Sequence, residues 1–331
     1  QDGNRDDVQY YRSLYNVEQV EILRGPNALL FGRGGTGGVI NRVSKKAALG
    51  ETFGAVDFGL DSFGANDIAV DYNTGTGDST AVRMMIHSDA LENHRDHYDG
   101  RRLGFNPTVK IQMNDTTTLD ISYEHADHER YIDRGVPTEN GEPVERFEKI
   151  TFGGNENLTT LKANILRATL SKQFSDTRKG NLSVVSSDFE KMYKNYYASG
   201  YTAGASVVTM DGYLDPTERE NTIISGSMVN EVGKHTLLVG AELIDTTNNN
   251  HRYNTFWSTT SDDNEVFTIT RPMNFTVNSA GVATNNDFTA DLKSKTKSDI
   301  DVTSIYIQDQ IDVSDNLKLM IGGRHDSFDI T

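Results

Sequence analysis

From Glu51 onward the chain is a succession of short segments in which apolar and polar side chains alternate, a pattern that a sheet can satisfy and a helix cannot. Strand-like segments fall near 51–59, 66–73, 80–89, 102–112, 117–128, 161–172, 181–196, 220–230, 235–247, 298–312 and 317–328. In one, Leu103, Phe105, Val109 and Ile111 share a side, and Arg102, Asn106, Thr108 and Lys110 share the other. In the next, Leu119, Ile121 and Tyr123 oppose Thr118, Asp120, Ser122 and Glu124; Val82, Met84 and Ile86 alternate with Arg83, Met85 and His87. Segments 181–196 and 298–312 are mixed. Only 36% of residues are hydrophobic, while 29 are glycine and 6 proline, a composition for strands and turns.

The connections say which kind of sheet. Short turns at 75–78, 114–116, 175–180, 231–234 and 314–316 alternate, after the first hairpin, with longer links at 90–101, about 129–160, about 197–219 and about 248–297. A soluble sandwich has no reason to gather its long links at one end, and a structureless link as long as 248–297 counts against a compact soluble domain. An outer-membrane barrel has tight periplasmic turns and long extracellular loops. No run approaches the roughly 18–20 apolar residues of a membrane-spanning helix, but a barrel needs only every second residue apolar. Eleven strands is an odd count, bacterial single-chain barrels close on an even one, and the last three residues still read as strand, so a truncated barrel is expected.

A net charge of −16 and a pI near 4.9 argue against nucleic acid as a partner, yet leave room for a local basic patch that binds an anion. With no cysteine there is neither a disulfide framework nor a thiolate metal site. His94 and His97, and His125 and His128, have spacings that specify no metal site in a loop or strand, and no Ser/His or Asp/His constellation suggests an enzyme. The first residues carry no signal-peptide pattern, and the chain is expected to start in mid-protein.

The first 48 residues differ from the rest. Residues 17–23 read as a strand broken by Arg24-Gly25-Pro26, residues 27–31 as a brief helical turn, residues 32–38 as a cluster of five glycines, and residues 39–43 as a second short strand. The segment is too small to bury a core alone. Residues 32–37 also satisfy G-x-G-x-x-G, but no helix or βαβ unit follows, so a dinucleotide site is not read from them; glycines here serve positive φ and close backbone approach.

The stretch from Tyr15 to Asn41 resembles the end of the plug domain of TonB-dependent receptors: an acidic strand, Arg24-Gly25-Pro26, a small-residue turn, Phe31-Gly32, a glycine cluster and Gly37-Gly38-Val39-Ile40-Asn41. Asp2-Gly3, Tyr10-Tyr11-Arg12, Asp133-Arg134-Gly135-Val136-Pro137 and Gly322-Gly323-Arg324-His325-Asp326 resemble the siderophore branch, especially catecholate-type receptors. The resemblance implies an all-β transmembrane fold: a partial antiparallel outer-membrane β-barrel, about eleven of an expected twenty-two strands, with the C-terminal part of an α+β plug domain. Residues 1–48 would be plug and 49–331 the N-terminal half of the barrel.

The implied function is import of a ferric siderophore across the outer membrane of a Gram-negative bacterium. Energy would come from TonB and its inner-membrane complex through a segment this chain lacks. Outer-membrane lipid is the surroundings, and no cofactor or protein-bound metal is expected. Haem, cobalamin or a glycan as cargo, and more remotely a passive porin, are the alternatives. Arg24 is the expected plug–barrel lock, and Gly25, Gly32, Gly34, Gly37 and Gly38 are the motif glycines. Phe31 and Arg33 are placed at a ligand-facing plug apex. Extracellular loops would contribute Arg130, Arg134 and Arg146 with Tyr196, Tyr197, Tyr201, Tyr253, Phe256 and Trp257, because aromatic and guanidinium groups suit an anionic ferric chelate.

Overall fold

The computed structural model describes residues 1–5, 8–24, 37–153, 157–205, 207–257, 265–268 and 288–331. Two strands of the N-terminal segment, β1 (Val17–Arg24) and β2 (Gly38–Ser44), pair antiparallel with Ile22 opposite Ile40 and Arg24 opposite Gly38. At Gly38 φ is +141°, and a Cβ would stand 2.5 Å from the Leu23 carbonyl oxygen, so only glycine fits; Gly37 has open space around it.

The remaining long strands are β3 (Phe53–Leu60), β4 (Asn66–Gly75), β5 (Thr80–Glu92), β6 (Asp99–Asn114), β7 (Thr117–Tyr131), β10 (Leu158–Ser175), β11 (Arg178–Thr202), β12 (Val207–Val232), β13 (His235–Trp257), β15 (Phe288–Ser314) and β16 (Leu317–Ile330). Small additions are β8 (Thr138–Glu139) paired with β9 (Glu142–Pro143), β14 (Glu265–Thr268) paired with β12, and the 3-10 turns Glu145–Phe147 and Ala203–Ala205. Each long strand pairs antiparallel with the next in sequence, from β3 at one edge to β16 at the other, apart from short β8, β9 and β14. All eleven segments read from alternation are therefore strands, in the expected order.

The register explains the alternation. One row crosses the sheet through Val82, Val109, Ile121, Ala168, Val184, Ile224 and Leu243, each opposite the next. It faces outward, where Leu166, Leu182, Leu243, Ile305 and Ile307 are half or more exposed. Large apolar side chains exposed on one face of a whole sheet need an apolar medium. The adjacent row, Arg83, Thr108, Ser122, Arg167, Val185 and Ile223, faces inward against the N-terminal segment. Toward the long-link end the outward row becomes His125, Asn164, Asp188, Glu220, Thr247 and Asp299, and the apolar band stops there.

The long links are shorter than the sequence suggests. The expected loop at 197–219 is almost all strand, because β11 continues to Thr202, where the 3-10 turn Ala203–Ala205 follows, and β12 starts at Val207. Of the expected loop at 248–297, residues 248–257 belong to β13, 265–268 to β14 and 288–297 to β15, and the links at 90–101 and 129–160 shrink to 93–98 and 132–157. A 26-residue strand such as β12 runs about 85 Å at 3.3 Å per residue, far beyond a band about 25 Å tall. Above the band both faces meet water, so pairing continues on backbone hydrogen bonds without the apolar alternation that marks it below.

The described residues of the N-terminal segment lie against the inward face of the sheet, held by polar contacts, most of them buried. Arg83 donates to both Asp71 oxygens at 2.7 and 2.6 Å, Lys45 reaches the same carboxylate at 2.9 Å, and Glu18 lies 3.7 Å from the Arg83 guanidinium. Arg167 bonds Glu124 at 3.1 Å, while Asp2, 4.0 Å from Arg167, accepts the Ser44 N–H and hydroxyl. Asn16 donates to Asn106 at 3.1 Å. Asn73, fully buried, donates to the carbonyls of Ala48 and Glu51 at 3.0 and 2.8 Å and accepts the Ala48 N–H at 2.9 Å. Below the cavity described next, Val8 seats among Ala126, Leu161, Ala163, Ile165, Val185, Phe189 and Ile223.

Candidate ligand-binding site

Above that apolar seat, at the long-link end, the inner wall and residues Gln9–Tyr11 enclose a cavity of about 500 Å3. Arg102 (β6), His128 and Arg130 (β7), Thr159–Leu161 (β10), Lys191 and Tyr193 (β11) and Tyr213 and Asp215 (β12) complete its lining. The level lies above the outward row of Asn164 and Asp188, hence outside the apolar band. Arg130 stacks on the Tyr11 ring at 3.7 Å, Lys191 donates to the Gln9 carbonyl at 3.1 Å, and Arg102 pairs with Asp89. Asp215 is committed to Arg252 at 2.8 Å, and that guanidinium lies 3.3 Å over the Tyr213 ring. An acidic chain thus builds a chamber in which cations and tyrosine faces predominate. Burial pushes the Lys191 ammonium below its ordinary range and His128 down to about 4, helped by the Arg102 charge, so His128 is neutral at pH 7.

The rim continues the theme. Tyr193 and Tyr213 stack at 5.8 Å, Tyr197 meets Tyr213 edge-on at 6.3 Å, and Arg134 lies 4.6 Å over the Tyr197 ring with Nη1 3.4 Å from the Tyr213 hydroxyl. Further out, Arg146 bonds the Tyr201 hydroxyl and lies 4.8 Å over Phe147. Link 132–157 is packed: Phe147, Ile150 and Phe152 join Tyr196 of β11 and Val208 and Met210 of β12 in a buried cluster.

Of the residues singled out from sequence, Arg130 lines the cavity, Arg134 and Tyr197 meet at its rim, and Arg146 and Tyr201 form a separate outer pair. Their setting needs correcting: Arg130, Tyr196, Tyr197, Tyr201 and Tyr253 stand on strands, not loops, for the reason given above. Tyr196 is buried in the link's core. Arg24 ends β1 with an exposed side chain, and the ionic contacts described between the segment and the sheet run through Arg83, Lys45 and Arg167. Phe31, Arg33, Gly25, Gly32 and Gly34, and the side chains of Phe256 and Trp257, lie outside the described residues. Lys191, Tyr193, Tyr213 and Arg252 were not singled out. A signal existed: with Leu182 and Val184 outward, odd-numbered β11 residues point inward through Val185, Phe189, Lys191, Tyr193 and Tyr197. Among the described residues no group of three His, Asp or Glu is placed to hold a metal ion.

A family model described as TonB dependent receptor-like, beta-barrel, matches residues 57–331. Over 144 residues the chain is 31% identical to the catecholate siderophore receptor Fiu of Escherichia coli, covering 41% of this chain and 18% of that protein. Over 204 residues it is 29% identical to the metal-pseudopaline receptor CntO of Pseudomonas aeruginosa, 60% of this chain and 27% of that one. The open form of the ferric-catecholate import receptor Fiu from E. coli superposes with a TM-score of 0.79 at 17% identity, covering 99% of this chain and 52% of that one. The siderophore receptor PiuA from Acinetobacter baumannii gives 0.80 at 19%, covering 99% and 50%. At such identities the superpositions establish the fold, and this chain spans about half the length of those structures.

Proposed function

The chain belongs to the TonB dependent receptor-like β-barrel family of the Gram-negative outer membrane, and from that premise we propose that it serves in the import of ferric siderophores. In this reading residues 1–48 are the end of the plug and 49–331 the first half of the barrel wall. Arg24 belongs to the plug–barrel lock, the motif glycines Gly25, Gly32, Gly34, Gly37 and Gly38 let the plug pack closely, and Phe31 and Arg33 face the ligand. A filled barrel is no diffusion pore, so ligand is captured outside and released inward by work from TonB and its inner-membrane complex. The chain performs no catalysis and carries no cofactor; the chelate arrives with its iron.

The observation that carries the reading is the cavity. Guanidinium and ammonium groups beside tyrosine faces match an anionic aryl chelate, which offers charge, acceptor oxygens and flat rings. Lys191→Ala and Arg130→Ala are each expected to weaken binding of ferric 2,3-dihydroxybenzoate about tenfold, the loss of one charge-assisted hydrogen bond. Growth under iron limitation, with the gene deleted and restored and single ferric siderophores supplied, tests the whole. Growth unaffected by deletion with every siderophore supplied would refute it. The relative named as a metal-pseudopaline receptor motivates one further arm, in which metal pseudopaline replaces the ferric siderophore.

A further inference from the structure

Arg95 lies in the link 93–98, outside the cavity, yet its side chain is only 6% exposed. It donates from Nε and Nη2 to the two Asp133 oxygens at 2.6 and 2.9 Å. Its Nη1 donates to the carbonyls of Phe147 and Glu148 at 3.3 and 2.8 Å. One guanidinium thereby ties the link 93–98 to both the start and the 3-10 turn of the link 132–157. Asp133 Oδ1 also accepts the Gly135 N–H at 2.9 Å, where φ is +83°, so one carboxylate fixes the backbone on both sides of Arg134.

A second buried staple holds the other side. Asn157 donates to the carbonyls of Ile132 and Tyr196 at 3.4 and 2.6 Å and accepts the Tyr196 N–H at 2.8 Å. Arg134 is suspended between these anchors, over Tyr197 and beside Tyr213. Desolvating an ion pair is repaid only by good geometry and further hydrogen bonds, and Arg95 has both. A loop that only needed to cover the barrel mouth has no use for such an expense.

We propose that Arg95 is a positioning residue for ligand binding, acting through Asp133 to present Arg134 in place before the anionic chelate arrives. The inference rests on the reading of the cavity as the chelate site. Preorganisation strengthens binding by removing the entropy of ordering Arg134 on arrival. Lysine cannot substitute, because an ammonium lacks the fork that grips both Asp133 oxygens and the two carbonyls.

The test is a double-mutant cycle on the intact receptor in detergent, with ferric 2,3-dihydroxybenzoate as probe and fluorescence quenching as readout. Arg134→Ala is expected to weaken the probe about tenfold. Arg95→Lys is expected to weaken it to a similar degree and to add nothing in the Arg134→Ala background. Additive losses, or Arg95→Lys binding like the parent, would overturn the proposal. Arg95→Gln with Asp133→Asn removes both buried charges together and keeps the cycle readable if Arg95→Lys disturbs folding. A ligand-free arm places 3-fluorotyrosine at position 197: Arg134→Ala should move its fluorine resonance, and Arg95→Lys should move it to the same place. A parent that binds neither this probe nor any siderophore refutes the reading of the cavity, and the fluorine comparison then decides the role of Arg95. An unmoved resonance in Arg95→Lys overturns that role.

Discussion

Gly104 lies on the inner face of β6 beneath the Tyr15 ring, and a Cβ there would meet three Tyr15 atoms at 2.6, 2.7 and 2.7 Å. Carbon contacts are comfortable near 3.5–4.0 Å, so Gly104→Ala must drive the ring back by about 1 Å. The ring has little room: it is stacked on His87 at 5.3 Å, and the next residue, Asn16, is bonded to Asn106. Overpacking of this kind costs about 1–3 kcal/mol. Straining the Asn16–Asn106 bond adds up to about 1 kcal/mol, roughly offset by the reduced backbone freedom of alanine in a strand.

A net cost of about 1–3 kcal/mol therefore falls on the seating of residues 1–48, not on the ladder of the sheet. Limited proteolysis reads the population of the opened segment. Cleavage within residues 8–24 should speed up about 5- to 150-fold while barrel fragments keep the parent's rate. Tyr15→Ala alone loses a half-buried aromatic ring, and Gly104→Ala in that background should then cost nothing further. Parental protection in Gly104→Ala, or additive losses in the pair, would refute the argument.

Asp71→Asn leaves the Arg83 guanidinium, 10% exposed, with only the exposed Glu18 carboxylate 3.7 Å away and should cost about 3 kcal/mol by thermal unfolding in detergent, while Asp71→Asn with Arg83→Gln should recover much of it. His128 has a depressed pKa of about 4, and an anion in the cavity favours its protonated form. Binding should therefore take up protons between pH 4 and the ordinary imidazole value of about 6.5, strengthening as pH falls through that window. Calorimetry in buffers of different ionisation heat reads the uptake, which His128→Gln should abolish. Asp215→Asn should strengthen binding of ferric 2,3-dihydroxybenzoate roughly threefold by removing the cavity's acidic wall charge, and equal or weaker binding would count against an anionic ligand.

Where the sequence is legible, one face of a strand meets an apolar medium. Val82, Met84 and Ile86, or Leu103, Phe105 and Val109, announce strands because the band demands an apolar residue at every second position. Past Asp188 on β11 the demand ends: Glu190, Met192 and Lys194 no longer mark an outward face, and nothing past residue 196 says that pairing continues to Thr202. The same transition hid part of the site: Lys191 and Tyr193 lie within the segment 181–196 that reads as strand and keep the inward parity of Val185 and Phe189, but in a mixed segment no apolar row marks which parity is inward. Contacts distant in sequence were beyond reach for another reason. Nothing near Arg95 says that Asp133 will receive it, and nothing near Gly104 says that Tyr15 will cover it; such pairs follow from register across the sheet.

The clamp at Asn73 has a mechanical meaning. Tension drawn along residues 1–48 reaches the wall at Ala48, where three hydrogen bonds to one buried side chain take the load. That side chain belongs to β4, which is paired on both sides, whereas the next stretch of chain, β3, has β4 as its one described neighbour. Residues 1–48 drawn straight would release about 160 Å of line at 3.3–3.6 Å per residue, longer than any membrane is thick. If import draws on that line as proposed, Asn73 is the cleat on which it is made fast, and the load passes to a strand held on both sides.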